Sequence, residues 1–376
     1  MLRASGRVIG GVVAASLLSG CIVAAVPVAA AGGIVKLSQG AKKRKRAQQA
    51  QEVPPPAKPP IAQVPEGNWQ ATPLKALPPP SGAPGATPAQ PPVVATPAGA
   101  VPVPPGMQYL YGSGEAAALS IQAYQALWSY VRNRALDRKT GGNVWSVVLA
   151  RDGTLASPKF TPCEQKPLAI VLDVDETALL NLGYEASDAQ RQAPYDEKRW
   201  ERWEQTGAGK VSAVPGAVDA LQATRREGVT VIFNTNRSAA SAAQTEAALN
   251  GAGLGPVEHG KTLWLRGDDG TTSSAKDARR WQIAERYCVI ALVGDQLGDF
   301  TDLFNAPGMT TAMRRTAAGD TMVAPLWGAG WFVLPNPVYG SGLKGGFDEV
   351  FPADKRWSDP AEGAALPARP PVDAAP

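Results

Sequence analysis

The chain has 376 residues, with 35 prolines, three cysteines and one histidine. A lone histidine excludes chemistry and zinc sites that need two or more imidazoles, and three cysteines can build neither a four-cysteine zinc site nor a disulfide framework. The net charge of +4 is unevenly placed: residues 1–51 carry eight Lys and Arg and no acid, leaving 29 basic against 33 acidic groups beyond them, so the basic balance is an address at one end and not a nucleic-acid footprint.

Arg3 and Arg7 precede an uncharged stretch from Val8 to Val35, with the charged start and apolar middle of an export signal. Leu18-Ser19-Gly20-Cys21 closes its first part and resembles a bacterial lipoprotein signal, in which residues 1–20 are removed and Cys21 is lipidated. An uncleaved transmembrane span remains the alternative, since the stretch is long enough to cross a bilayer and Lys42–Arg46 would follow it as a cytoplasmic basic cluster. Both readings put the chain at a membrane. After a membrane-proximal segment (21–52), residues 53–106 hold 18 prolines among Ala, Val and Gly. They read as an extended spacer with a reach of ~150 Å or less at roughly 3 Å per residue. A folded domain is expected over 107–358, and a Pro/Ala-rich tail over 359–376.

Ser113 caps a predicted helix whose apolar positions Ala117, Ile121, Tyr124, Trp128, Val131 and Ala135 follow helical spacing. Beyond Lys166, short apolar runs at Leu168–Leu172, Val229–Phe233, Thr262–Leu265, Val289–Val293 and Phe332–Leu334 alternate with helical segments. Buried strands alternating with helices predict an α/β fold, a Rossmann-like parallel sheet covered on both faces, with ligands beyond the carboxyl ends of its strands.

Polar clusters fall at those strand ends. Asp173-Val174-Asp175-Glu176-Thr177 follows the first run and Asn234-Thr235-Asn236-Arg237 the second. Lys276 opens a helix over Ala275–Arg286, and Gly294-Asp295-Gln296-Leu297-Gly298-Asp299 follows the fourth run. Alternate residues leaving a strand share a side, so Asp173 and Asp175 face one site. Singly, each motif reads as well as a helix cap, a turn or a solvated lysine. Together, clustered carboxylates call for a hard cation with oxygen ligands, and a cation plus a lysine receives a phosphoryl group.

These four motifs resemble those of the haloacid dehalogenase (HAD) superfamily. Ala123–Ala126, Trp200-x-x-Trp203, Ala213–Val218 and Leu334–Gly340 narrow the resemblance to class C acid phosphatases, the bacterial lipoprotein 5′-nucleotidases. It covers roughly residues 107–350 and implies a small, mostly helical cap inserted at about 180–212. It further implies Asp173 as nucleophile and Asp175 as general acid and base, with Thr235, Asn236 and Lys276 holding phosphate. Mg²⁺ would be bound by Asp173, the Asp175 carbonyl and Asp295, with Asp299 in support. Trp200 and Tyr339 would stack a nucleobase, although Trp200 and Trp203 at i, i+3 read equally as core packing. Leu180, Gln296 and Gly298 depart from the family pattern without removing a metal or phosphate ligand. In that fold Cys163 and Cys288 flank neighbouring strands, which implies a disulfide, with two separate buried thiols as the alternative. His259 is expected in a surface loop.

The resulting expectation is a Mg²⁺-dependent acid phosphatase of the bacterial envelope, lipid-anchored, with its catalytic domain in the periplasm or outside the cell. It would act on small phosphomonoesters, 5′-nucleotides first, and bind no nucleic-acid polymer; a homodimer stays open. The rival readings are a phosphatase with a non-nucleotide substrate and a non-catalytic envelope lipoprotein.

Overall fold

The computed structural model describes residues 101–359 apart from 192 and 320. Cys21, the signal, the basic segment, most of the spacer and the tail lie outside the described residues. Among the described residues no helix is long and apolar enough to cross a membrane.

Helical turns at Pro105–Met107 and Gln108–Gly112 lead into α1, Gly114–Lys139. Ser113 starts α1: its backbone is extended and its hydroxyl accepts from the Ala116 N–H at 3.0 Å, satisfying a first-turn donor that has no partner inside the helix. The buried stripe is Ala116, Ser120, Tyr124, Leu127, Val131 and Ala135. This corrects the predicted face, because Ile121 and Trp128 are exposed. The α1 backbone at Ile121 and Tyr124 packs closely on Gly216, at which a Cβ would come within 3.1 Å of the Ile121 Cα and 3.3 Å of the Tyr124 Cβ.

The rest of the chain runs β1 (Leu168–Leu172), β2 (Leu179–Leu180), α2 (Leu182–Arg191), α3 (Glu197–Thr206), β3 (Ser212–Ala213), α4 (Ala217–Arg226) and β4 (Thr230–Ser238). Then follow α5 (Ala242–Gly251), β5 (Leu263–Arg266), α6 (Asp277–Arg286), β6 (Cys288–Gly294), α7 (Thr311–Gly319) and β7 (Trp331–Val333). Among the described residues five strands form a parallel sheet in the order β5-β4-β1-β6-β7. Strand β1 lies at its centre and is buried along its whole length.

Its side chains alternate between two cores, as the pleat demands. Leu168, Ile170 and Leu172 join a core with α1, α4 and α5, whereas Ala169 and Val171 join a second core with α6, Phe300, Phe304 and Trp331. Each fully buried Leu, Ile or Val contributes about 1.5–3 kcal/mol, so a polar residue is costly anywhere along this strand. Opposite Ala169/Ile170 the register of β6 shifts by a residue, which lets Ile290 and Ala291 both face the first core. The antiparallel pair β2–β3 forms the stem of the cap, and α2 and α3 lie between its strands in the chain.

A disulfide joins Cys163 to Cys288, with Cα atoms 4.5 Å apart, and ties the segment before β1 to the first residue of β6. It closes a loop of 125 residues, for which chain entropy gives about 4–5 kcal/mol of stabilisation. Non-reducing peptide mapping should recover Cys163 and Cys288 in one cross-linked species. Thermal melts with reductant should show a Tm lower by roughly 10 °C, at about 2–4 °C per kcal/mol for a domain of this size.

Candidate active site

The site lies at the carboxyl ends of β1, β4 and β6, under the cap, as a pocket of about 590 Å³. Strand β1 delivers Asp173 and, two residues on, Asp175; both line the pocket. Between β1 and β2 the chain turns through Glu176, whose φ of +53° lies in the left-handed region, uncommon for a residue with a Cβ. Its side chain holds that turn, because the buried carboxylate accepts from the Asn181 N–H at 2.9 Å, the Asn181 amide at 3.2 Å, the Tyr111 hydroxyl at 3.1 Å and the Tyr339 hydroxyl. Burial, reinforced by Asp175, pushes Glu176 up to about 7, against the opposing pull of those hydrogen bonds.

Lys276 sits at the start of α6 and does not cap it with its side chain. The free N–H groups of Lys276 and Asp277 donate to Asp302 at 2.9 and 2.7 Å. The ammonium bonds Asp173 Oδ1 at 2.5 Å and Asp299 Oδ1 at 2.7 Å, all three side chains being buried. Burial alone would lower Lys276, but Asp173 and Asp299 outweigh it and raise the ammonium. Asp299 turns back over Gly294, where a Cβ would collide with the Asp299 side chain; glycine is required at this end of β6.

Carboxylate oxygens of Asp173, Asp295 and Asp299 all lie within 4.8 Å of one another. Burial pushes Asp173 well above the usual carboxylate range against the pull of Lys276, and Asp299, Asp295 and Asp175 add to the rise. Burial and then Asp299 push Asp295 up to about 7, although Asn336 and Gln296 hydrogen-bond it. Three carboxylates against one ammonium leave two negative charges uncompensated, the charge of a divalent cation, and an all-oxygen donor set suits a hard one. The cluster therefore fits such an ion.

Asp175 belongs to a second layer of contacts. Its Oδ1 accepts from Arg237 Nη2 at 2.7 Å, Arg237 Nε at 2.9 Å and Asn181 Nδ2 at 2.9 Å, whereas Oδ2 receives only a longer Arg237 contact at 3.3 Å. Oδ1 is saturated, and Oδ2 is the less occupied oxygen. Arg237 is fully buried: β4 does not end at Phe233 but runs on to Ser238, with its register against β5 broken between Asn234 and Ser238, and the guanidinium reaches Asp175 beyond β1.

The structure brings Asp173, Asp175, Asn236, Lys276, Asp295 and Asp299 around one pocket. Thr235 lies buried behind it, its hydroxyl accepting from the Arg237 N–H at 3.1 Å. Asn236 is held by Arg279 Nη2 at 2.6 Å and donates to the Ser274 carbonyl at 3.0 Å. The two tryptophans divide between the readings weighed for them. Trp200 lines the pocket, edge-on to Tyr184 at 4.9 Å, with its indole donating to Glu204 at 2.7 Å. Trp203 packs under Gly183 and Gly207 and donates to Asn181 at 3.1 Å. Tyr339 lines the pocket from the loop after β7. His259 pairs with Asp268 at 2.9 Å and is not among the residues that line the pocket.

Sequence reasoning gave no role to Glu176, Arg237 or Asn336. All three stand inside motifs it identified, and for Glu176 and Arg237 the signal was a charge directly beyond an apolar run.

The family model for the HAD superfamily, subfamily IIIB (acid phosphatase), matches residues 125–342. Among solved structures, the chain is similar to the class C acid phosphatase from Bacillus anthracis, at 24% identity over 63% of this chain and 84% of that one, with a TM-score of 0.48. The same enzyme with tungstate bound gives 25% identity, the same coverage and a TM-score of 0.48.

Two outcomes test the site. Arg237→Lys keeps the charge and loses the two-pronged grip on Asp175, so kcat should fall at least about tenfold, the scale of one charge-assisted hydrogen bond; steady-state kinetics with a generic phosphomonoester reads this. The second concerns pH. Glu176 and Asp295 both stand near 7 when folded, above their ordinary values, so the native state binds the extra protons. That stabilisation is complete below about pH 4 and is lost as pH rises through about 7. In EDTA, Tm should fall by several degrees between pH 5 and pH 8, and the opposite slope would refute the assignment.

Proposed function

Because the chain belongs to the acid phosphatases, subfamily IIIB of the HAD superfamily, and is a phosphomonoesterase, we propose that it is a Mg²⁺-dependent 5′-nucleotidase working through an aspartyl-phosphate on Asp173. The observation that carries this reading is the buried Asp173–Lys276 pair facing a pocket whose far wall is aromatic. Lys276 holds Asp173 in one orientation and offsets charge on the phosphoryl oxygens. Asp173 attacks phosphorus; its O–P bond forms as the ester P–O bond breaks, and Asp175 Oδ2 gives its proton to the departing alkoxide. Water then attacks the acyl phosphate, Asp175 takes the water's proton, and phosphate leaves with Asp173 restored. Asn236 donates to phosphate oxygens. Asp173, the Asp175 carbonyl, Asp295 and Asp299 would hold Mg²⁺, which neutralises charge at the phosphoryl group.

Trp200 and Tyr339 supply the two rings for a nucleobase. The Tyr339 hydroxyl is tied to Glu176, which sets its ring, and the Glu204 contact does the same for Trp200. Class C character, lipidation at Cys21 and residence at the bacterial envelope belong to the same proposal. The Cys163–Cys288 disulfide supports them, since such bonds persist in oxidising compartments.

Asp173→Asn should abolish hydrolysis of p-nitrophenyl phosphate, and retained turnover would refute the nucleophile. EDTA should remove wild-type activity, with Mg²⁺ restoring it. Trp200→Ala and Tyr339→Ala should each lower kcat/KM for nucleoside 5′-monophosphates by about fivefold or more relative to sugar phosphates, on the scale of one aromatic contact. Equal losses on both would turn the reading toward a non-nucleotide ester.

A further inference from the structure

We propose that Glu185 selects the substrate's leaving group by accepting a hydrogen bond from one of its N–H or O–H groups. The proposal rests on the reading of the pocket as a phosphomonoester site and adds the part of the ester that it recognises. Glu185 stands on α2 of the cap, lines the pocket and is only 5% exposed. Every other acid around the pocket has donors within the protein. Asp173 and Asp299 share Lys276, Asp175 has Arg237 and Asn181, Asp295 has Asn336, Gln296 and Thr177, and Asp302 takes two N–H groups at the start of α6.

Asp188, one turn along α2, holds Arg199 at 2.7 Å and so occupies the nearest cation. Among the described residues no donor hydrogen-bonds the Glu185 carboxyl. Burial, with Asp188 adding to it and Arg199 opposing, pushes that carboxyl up to about 7. The Glu185 oxygens open to the pocket and are not sealed off from it, so solvent meets them until a donor on the ligand takes its place. The carboxyl therefore discriminates: a ligand without the donor leaves it unpaired, whereas a ligand with the donor satisfies it. The phosphoryl group is held at Asp173 and Lys276, at the sheet, so the group that meets the cap residue Glu185 is the leaving group. A nucleoside qualifies through its ribose hydroxyls and base N–H groups, and a nitrophenyl group does not.

The test compares wild type, E185Q and E185L on three esters: a nucleoside 5′-monophosphate, ribose 5-phosphate and p-nitrophenyl phosphate. The readout is the ratio of kcat/KM for each donor-bearing ester to that for the nitrophenyl ester. This ratio should fall from wild type to E185Q to E185L, by about tenfold or more in E185L, carried by KM, and Tm without substrate should hold or rise as an unpartnered buried acid is removed. An unchanged ratio, or equal losses on all three esters together with a lower Tm, would overturn the proposal. If wild type cleaves ribose 5-phosphate and rejects the nucleotide, the nucleotide reading fails and Glu185 is decided on the ribose ester. If wild type cleaves the nitrophenyl ester alone, both fail.

Discussion

A lysine ammonium, buried between two carboxylates with a third beside them, organises this protein. Like charges 4–5 Å apart repel by on the order of 3–4 kcal/mol at an effective dielectric near 20, so Asp173, Asp295 and Asp299 cannot converge without compensation. Lys276 supplies one positive charge from the start of α6. Much of the surrounding backbone exists to let it do so. Asp302 accepts the N–H groups of Lys276 and Asp277 and so anchors the start of the helix that carries the lysine. Arg280 in turn bonds Asp277 and the carbonyls of Gly298 and Asp299, fixing the helix against the loop that carries Asp299. Gly294 leaves the space into which Asp299 folds.

A second network, built from neutral donors and one arginine, links this charged floor to the cap. Asn181, at the root of the cap, donates to Asp175 and Glu176 and accepts from Trp203 and Arg237. One side chain therefore touches the proposed acid, the turn that carries it and a tryptophan of the cap. Glu176 extends the network to Tyr111 and Tyr339. The ring proposed to hold the base and the carboxyl proposed to protonate the leaving group are thus joined by three hydrogen bonds, through Glu176 and Asn181.

The strands were legible because each is an uninterrupted apolar run, and the site was legible because its charges stand where those runs stop. Legibility failed where hydrophobicity and hydrogen bonding part company. In β4 the apolar run stops at Phe233, yet the strand runs on to Ser238 with an irregular register against β5, so Arg237 is a buried strand residue and not a loop charge. In α1 the apolar positions suggested a stripe that includes Ile121 and Trp128, whereas the buried face runs through Ala116 and Ser120, two small residues that carry little hydrophobic signal. The Trp200/Trp203 pair could not be resolved from spacing, since i, i+3 places both on one face and only the position of the cap separates lining from packing. Glu185 had no local signal at all; its isolation is a property of which donors its neighbours have already taken.

Charge also explains why an acidic site can take an anion. Beyond residue 51 the chain carries more acid than base, and the pocket repeats the imbalance: seven carboxylates line it against Lys276 and Arg266. A phosphate dianion entering that space meets net repulsion unless positive charge is concentrated at one point. Lys276 is already bound to two carboxylates and cannot by itself reverse the sign. A divalent ion among Asp173, Asp295 and Asp299 does, and it compensates the two negative charges that Lys276 leaves over. The cation that steadies the empty pocket is then also what admits the substrate, and the acidic wall of the cap is free to select what hangs from the phosphate.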